Sequence, residues 1–259
     1  MSDPDPHARL AEFLSVGDSR QNIPGVRIRD AATMLVIDRT GSVPKVLLGR
    51  RHHGHKFMPG KFVFPGGRVE LEDRRVNAAT PLDPRVEARL MKEVRRPSAQ
   101  KSRGFPLAAI RETFEETGLL LGARTTAAAP APRAPGKSRA PNPQWAEFAK
   151  SGVAPDLAAV HFIARAVTPP GRPRRFDTRF FAVDSEAIAA RIEGVVGPET
   201  ELVELVWLPI EESMKLDMPG ITMAVLEELK IRTTAGFTHD LPVPFYRMMR
   251  GKRVREFLA

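Results

Sequence analysis

The chain has no cysteine, one tyrosine and two tryptophans among its 259 residues. Without cysteine it forms neither disulfide bonds nor thiolate metal sites, which is consistent with a reducing compartment. No apolar run reaches the roughly 18 residues of a transmembrane helix. Residues 1–13 lack the basic start and apolar stretch of a signal peptide. We therefore expect a cytoplasmic protein with no membrane partner.

Positive charge is in excess, with 40 Lys and Arg against 31 Asp and Glu, a formal net charge of +9. Such an excess can serve nucleic-acid binding, because basic side chains neutralise phosphates. The basic residues are spread along the whole chain, however, and few aromatic residues are available to stack on bases. We therefore expect no dedicated nucleic-acid binding. Arginines at 172–175 are interpreted as a solvated loop or as neighbours of a phosphorylated small ligand.

A hydrophobic content of 42% in 259 residues is enough for one elaborated domain. Residues 1–30 are predicted to be an irregular N-terminal segment. The domain spans 31–235, and 236–259 form a C-terminal tail that packs on or near it. An Ala- and Pro-rich stretch, 123–143, is predicted to be a mobile loop.

Hydrophobic patterning predicts a mixed sheet with helices on its faces, an α/β or α+β domain. The predicted strands lie at 31–38, 45–49, 62–64, 158–167, 174–183 and 202–209, and the predicted helices at 83–96, 185–192 and 223–233. In the first of these helices, Asp83 is the expected N-cap and Pro84 the first helical residue.

The stretch 108–122 places Glu112, Glu115 and Glu116 at positions i, i+3 and i+4 of a predicted helix, so their carboxylates share one face. Leu107, Ile110 and Phe114 form the opposite, apolar face. Gly118 stands where a left-handed residue would end the helix. Two interpretations remain open at this point. The glutamates form a solvated acidic face, with Arg111 and Glu115 as an ion pair, or they bind Mg²⁺ or Mn²⁺ as hard oxygen ligands.

The residues Arg111 to Leu119 resemble R-E-U-x-E-E-x-G-U, the second half of the Nudix hydrolase box, where U is a bulky apolar residue. The first half, G-x5-E, is matched by Gly66 to Glu72. Seven residues normally separate the two halves. Here residues 73–110 separate them, so the resemblance implies an insertion, assigned to 73–106 and expected to hold a small helix over the site.

A split box after "FVFPGG" is similar to a Nudix branch that includes coenzyme A diphosphatases. Residues 167–183 also resemble a segment of that branch. The stretch from Leu47 to Gly67 has the length of the coenzyme A signature of that branch and keeps Arg51 and the final F-P-G-G. It departs from the signature at Gly49, His52 and Lys56. Lysine keeps the charge of the arginine it replaces but not its bidentate fork.

The resemblance implies a Nudix-like α/β/α sandwich with a mixed sheet and an inserted helical segment. It also implies metal-dependent hydrolysis of a diphosphate bond in a nucleoside diphosphate linked to another moiety. The leading substrate is coenzyme A or its acyl esters, which would give 4′-phosphopantetheine and adenosine 3′,5′-bisphosphate. ADP-ribose, dinucleotides and an RNA cap stay open as substrates, as does a non-catalytic Nudix-fold sensor or RNA-binding protein.

The implied site residues follow the matched motifs. Glu112, Glu115 and Glu116 are the expected catalytic residues and Mg²⁺ or Mn²⁺ ligands, with Glu72 as a further ligand. The expected substrate-binding residues are Arg51, Lys56, Gly66, Gly67 and Arg179.

Further roles are assigned more broadly. Arg111 is expected to orient the carboxylates. The general base could be Glu199, Glu201 or Glu204. Histidines at 52, 53 and 55 lack a zinc-ligand spacing and are interpreted as a loop beside the substrate. Nudix enzymes often dimerise, so a homodimer is left open.

Overall fold

The computed structural model describes residues 25–55, 58–125 and 142–259. Most of the predicted N-terminal segment 1–30 and of the predicted loop 123–143 lies outside these residues, as does Lys56. Among the described residues, no helix combines the length and the apolar composition that a membrane span requires.

Thirteen strands and five α-helices make up the described part of the chain. The strands are β1 (Ile28–Asp38), β2 (Lys45–Arg51), β3 (Phe62–Val63), β4 (Gly66–Arg68), β5 (Leu119–Leu121), β6 (Ala123–Arg124), β7 (Val153–Ala154), β8 (His161–Val167), β9 (Arg175–Asp184), β10 (Ile188–Arg191), β11 (Leu202–Pro209), β12 (Val243–Met249) and β13 (Lys252–Leu258). The helices are α1 (Pro84–Met91), α2 (Ala99–Thr117), α3 (Pro143–Lys150), α4 (Ile210–Ser213) and α5 (Gly220–Thr234), and short 3₁₀ helices lie at Asp73–Arg75 and Ser185–Ala187.

The main sheet has nine strands and is mixed. Its continuous order is β11-β2-β1-β9-β8-β12-β13, while β3 pairs with β2 and β4 pairs with β1. Strand β1 runs parallel to β9 and antiparallel to β2. The long central strands β1 and β9 therefore form the rigid platform on which the short strand β4 is placed.

Side chains of β1 alternate between two hydrophobic cores, as the period of a strand requires. Met34 and Val36 face the core that α1, α2 and α3 also line, whereas Leu35 and Ile37 face the core lined by α4 and α5. Helices thus cover both faces of the sheet. The predicted α/β fold, an α/β/α sandwich with a mixed sheet, is confirmed.

The inserted segment contains helix α1, whose predicted N-cap is confirmed. The Asp83 side chain accepts a hydrogen bond from the backbone N–H of Arg85, and Pro84 opens the helix. Helix α1 ends at Met91 rather than at 96, because the backbone of Lys92 is extended, and Glu93 and Arg96 beyond it have positive φ angles. The last residues assigned to the insertion, 99–106, already belong to α2, which continues through Pro106 into the acidic segment.

Two further segments differ from the sequence predictions. The helix predicted at 185–192 is wrong, since only Ser185–Ala187 form a 3₁₀ turn and β10 pairs with β5. This pairing overrides the helix propensity of the alanines. The segment predicted as a C-terminal tail supplies β12 and β13, and β12 joins the main sheet beside β8.

Candidate metal and phosphate site

The acidic helix α2 is held in place by its buried face and its two ends. The Ser98 side chain accepts a hydrogen bond from the backbone N–H of Lys101 at the start. Leu107, Ile110 and Phe114 are almost completely buried. Gly118 ends the helix with φ of 75°, and a Cβ there would overlap the carbonyl oxygen of Ile192. The predicted C-cap at Gly118 is confirmed. It fixes the end of the helix and therefore the positions of the three glutamates.

The three glutamates differ in exposure. The Glu116 residue is 7% exposed, and the Glu112 and Glu115 side chains are 14% and 43% exposed. Arg111 lies between the last two, with its Nη1 at 2.9 Å from Glu112 Oε1 and 3.3 Å from Glu115 Oε2. The structure therefore brings the predicted acidic residues together on one helix turn, and Arg111 contacts carboxylates, as expected.

Asp73 is a member of this network that the sequence reasoning missed. It is fully buried, and its carboxylate accepts hydrogen bonds from Arg111 Nε (2.9 Å) and from Trp145 Nε1 (2.8 Å). Asp73 lies six residues after Gly67, so Gly67-x5-Asp73 has the spacing of the first half of the box. That alternative register was the available signal.

Glu72 is engaged elsewhere. Its Oε2 accepts a hydrogen bond of 2.6 Å from the backbone N–H of Asn142, the N-cap of α3. This contact ties Glu72 to the start of α3, whereas its neighbour Asp73 faces Arg111.

The two adjacent glycines of β4 are needed for different reasons. A Cβ on Gly66 would lie 2.6 Å from Thr33 Oγ1 and 2.7 Å from the carbonyl oxygen of Ala32, on the paired strand β1. A Cβ on Gly67 would instead overlap the carboxylate of Glu112. Gly66 also donates its backbone N–H to Glu116 Oε2 at 3.3 Å. The glycine pair therefore lies directly against the acidic turn.

The surroundings disfavour the charged forms of two glutamates. Burial raises the pKa of Glu112 to about 7, although Arg111 acts in the opposite direction. Burial, together with the negative charges of Glu201 and Glu112, raises the pKa of Glu116 well above its usual range. A bound cation would relieve this repulsion between carboxylates.

The donor set fits a hard divalent cation, because carboxylate oxygens are the ligands that Mg²⁺ and Mn²⁺ prefer. Within residues 25–55, 58–125 and 142–259, no group of three or more His, Cys, Asp or Glu side chains is arranged to hold a metal ion. Glu112 and Glu115 are instead paired with Arg111.

Arg51, at the end of β2, lies beside the buried carboxylates. Its Nη2 donates to Glu201 Oε1 at 2.6 Å, and its positive charge opposes the upward shift in the pKa of Glu116. The Arg51 side chain is 11% exposed, and its buried Nε has no hydrogen-bond partner among the described residues. Glu201 thus faces the cluster, whereas Glu204 pairs with Arg50 at 2.5 Å and Glu199 is exposed.

The expectation that Arg179 binds substrate requires correction. Arg179 is 1% exposed, because it lies inside a network of polar and aromatic partners. Its Nη1 donates to Asp30 Oδ1 at 2.9 Å and to the carbonyl oxygen of Asp177 at 2.8 Å, and its guanidinium lies over the ring of Phe105. These contacts make Arg179 a buried link between β9, β1 and α2. Lys56 lies outside the described residues.

Comparison with known proteins places this geometry in context. No family model matches the chain. Acyl-coenzyme A diphosphatase NUDT19 of Gallus gallus is 30% identical, in a match that covers 53% of this chain and 47% of the relative. The protein of the same name from Homo sapiens matches with the same identity and coverage. The chain thus spans about half the length of the curated relatives it matches.

A solved structure supports the same relationship. The NUDIX hydrolase from Alicyclobacillus acidocaldarius superposes with a TM-score of 0.54 and 27% sequence identity, over 81% of this chain and 96% of that chain. Together, the fold and these similarities confirm the predicted resemblance to the Nudix hydrolase superfamily. In sequence and fold the chain is therefore similar to Nudix-type hydrolases, the predicted class of enzyme.

Proposed function

We propose that the chain is a metal-dependent diphosphatase that hydrolyses a nucleoside diphosphate linked to another moiety. The leading substrate is coenzyme A or an acyl-coenzyme A, and the products are 4′-phosphopantetheine, or its acyl form, and adenosine 3′,5′-bisphosphate. Similarity to the two acyl-coenzyme A diphosphatases supports this substrate. The small-molecule substrate and the lack of cysteine accord with action in the cytoplasm.

One observation carries the proposal. Two nearly buried carboxylates, Glu112 and Glu116, stand against the glycine strand β4 with their pKa values raised. Burial of acidic groups side by side destabilises a fold unless a cation or a proton compensates them. A solvated acidic face would not need this arrangement.

Glu112, Glu115 and Glu116 would hold Mg²⁺ or Mn²⁺. Such an ion, when bound, neutralises diphosphate oxygens and activates water. Arg111 keeps Glu112 and Glu115 in place through the contacts described above, and Asp73 fixes Arg111 in turn. Glu72 remains a ligand candidate only if its contact with Asn142 opens.

Two residues next to the cluster complete the assignment. The buried Nε of Arg51 has no partner within the described part of the chain, and the Arg51 guanidinium would donate to a phosphate oxygen of the substrate. Of the three candidate bases, Glu201 is the one whose charge acts on Glu116. It is 41% exposed, so solvent can take up the proton that it removes from the attacking water.

Mass spectrometry of reaction products tests the proposal. Purified protein is incubated separately with coenzyme A, acetyl-coenzyme A, ADP-ribose, NADH and a capped RNA, each with Mg²⁺, with Mn²⁺ and with EDTA. We expect metal-dependent release of 4′-phosphopantetheine or its acetyl form, with coenzyme A derivatives as the most efficient substrates.

The other outcomes decide between the remaining functions. Faster cleavage of ADP-ribose, NADH or the capped RNA would keep the chemistry and replace the substrate. Survival of every substrate with both metals would contradict the proposal and favour a non-catalytic sensor or RNA-binding protein.

A further inference from the structure

A cleft with both basic and apolar lining residues lies at the inserted segment. It has a volume of about 980 Å³ and opens between the 3₁₀ helix Asp73–Arg75 and the beginning of α2. Among the residues that the structure describes, its lining includes Arg74, Arg75 and Arg103 and one acidic residue, Glu87. The cleft is therefore positively charged in a part of the chain that the proposed chemistry does not use.

Arg74 is built into the wall of this cleft. A Cβ on Gly104, in the interior of α2, would lie 2.6 Å from Arg74 Cγ, so the glycine makes room for the arginine stem. Glycine is disfavoured in a helix interior, and its presence here is explained by this contact. The Nε of Arg74 is buried and has no hydrogen-bond partner among the described residues. The contact with Gly104 thus fixes the stem of Arg74, whose side chain is part of the cleft lining.

The remaining lining has both polar and apolar parts. Arg103 is held by a hydrogen bond of 2.7 Å from its Nη2 to the carbonyl oxygen of Val76, and Arg75 is exposed. Leu82 and Leu157 are buried and form an apolar part of the lining. A small organic molecule with one anionic group matches this combination.

We propose that this cleft binds the phosphate monoester group of a small organic ligand. Three guanidinium groups offer the forked donors that match phosphate oxygens, and the apolar lining accepts the rest of the molecule. Carboxylates would repel such a group, and Glu87 is the single carboxylate that the described residues contribute to the lining.

The cleft is separate from the acidic turn but linked to it. Arg103, the α2 arginine in the cleft lining, precedes Glu112 by nine positions, which is about 14 Å along a helix. Arg74 directly follows Asp73, the partner of Arg111. The phosphate could therefore belong to a free phosphorylated ligand or to a second phosphate group of the hydrolysed substrate.

Isothermal titration of the intact protein with inorganic phosphate tests the site without any turnover. Arg75→Gln and Arg103→Gln should each weaken phosphate binding about fivefold or more, and Glu87→Gln should strengthen it. Arg75 is exposed, so we expect Arg75→Gln to fold even if Arg103→Gln does not. Arg191→Gln, another exposed arginine, is the matched control. Arg51→Gln changes a residue beside the acidic cluster, so it should leave phosphate binding in the cleft unchanged.

Binding that is unchanged in both cleft variants, or lost only in Arg51→Gln, would overturn the proposal.

A kinetic comparison then identifies the source of the phosphate, and this part alone rests on the proposed function. If the substrate supplies it, the KM advantage of coenzyme A over dephospho-coenzyme A disappears in Arg103→Gln. If the ligand is free, that advantage persists and inorganic phosphate changes the rate of the wild type only.

Discussion

The adjacent glycines of β4 offer a sharp test, because the same substitution should damage different properties at each position. In Gly67→Ala, the three atoms nearest to the new Cβ all belong to the Glu112 carboxylate, the far end of a flexible side chain. That side chain can turn aside, so we expect the free energy of unfolding to change by less than about 1 kcal/mol. Activity should fall by about 100-fold, a loss of roughly 2.7 kcal/mol in transition-state stabilisation.

In Gly66→Ala, the new Cβ meets Thr33 Cα and the carbonyl oxygen of Ala32, both at 2.7 Å. These atoms belong to the central strand β1 and cannot turn aside. Overpacking of this kind costs about 1–3 kcal/mol, which lowers Tm by roughly 2–12 °C in a chain of this size.

Thermal unfolding and metal-dependent hydrolysis, both measured on the two variants and the wild type, provide the assay. Mn²⁺ binding by calorimetry should weaken in Gly67→Ala as well. Wild-type activity in Gly67→Ala would refute the assignment of Glu112 to the site. A larger loss of Tm there than in Gly66→Ala would refute the inference that the Glu112 side chain turns aside.

Three further predictions concern the surrounding network. Asp73→Asn removes the buried carboxylate that pairs with Arg111 Nε and leaves Arg111 only Glu112 and Glu115, so the free energy of unfolding should fall by about 3 kcal/mol in denaturant titrations. Glu201→Gln should lower kcat by about 100-fold if Glu201 is the base, whereas Glu204→Gln, which only loses its contact with Arg50, should change kcat less than about threefold. Burial and the neighbouring His239 lower the pKa of His161 to about 4, whereas the unfolded chain takes up this proton below about 6.5. The native state is thus destabilised as pH falls from about 6.5 to 4, by about 2 kcal/mol after allowance for partial exposure, and His161→Phe should remove that contribution.

The contradicting results are specific to each variant. Unchanged stability in Asp73→Asn would mean that the pair with Arg111 does not hold the acidic turn in place. Equal kcat values in the Glu201 and Glu204 variants would remove the base assignment. If His161→Phe and the wild type lost the same stability between pH 7.5 and 4.5, the titration of other groups would account for the loss.

The acidic helix could be predicted because its determinants are local. The spacing of three glutamates, the buried opposite face and Gly118 all lie within a dozen residues, and the structure has each of them. Asp73 could not be assigned in this way. It meets Arg111 across 38 residues of sequence, and a 3₁₀ turn decides whether it or Glu72 faces the arginine.

Burial explains the other differences. The alternating pattern of 174–183 correctly predicts a strand, but it does not show that α2 and β1 cover the Arg179 side chain with Phe105 and Asp30. The alanines of 185–192 have a helical preference that the pairing of β10 with β5 overrides. Local propensity predicts many of the helices and strands. Long-range contacts decide which charged side chains remain available to a ligand.

The central claim is that the acidic turn of α2 carries metal-dependent hydrolysis of a diphosphate. Its most direct test is the Mg²⁺-dependent rate of coenzyme A hydrolysis by Glu116→Gln, compared with wild type and with Glu193→Gln, which changes an exposed glutamate outside the site. We predict a loss of about 1,000-fold in the first variant, roughly 4 kcal/mol, and a change of less than about threefold in the second. Equal rates in all three proteins would contradict the account.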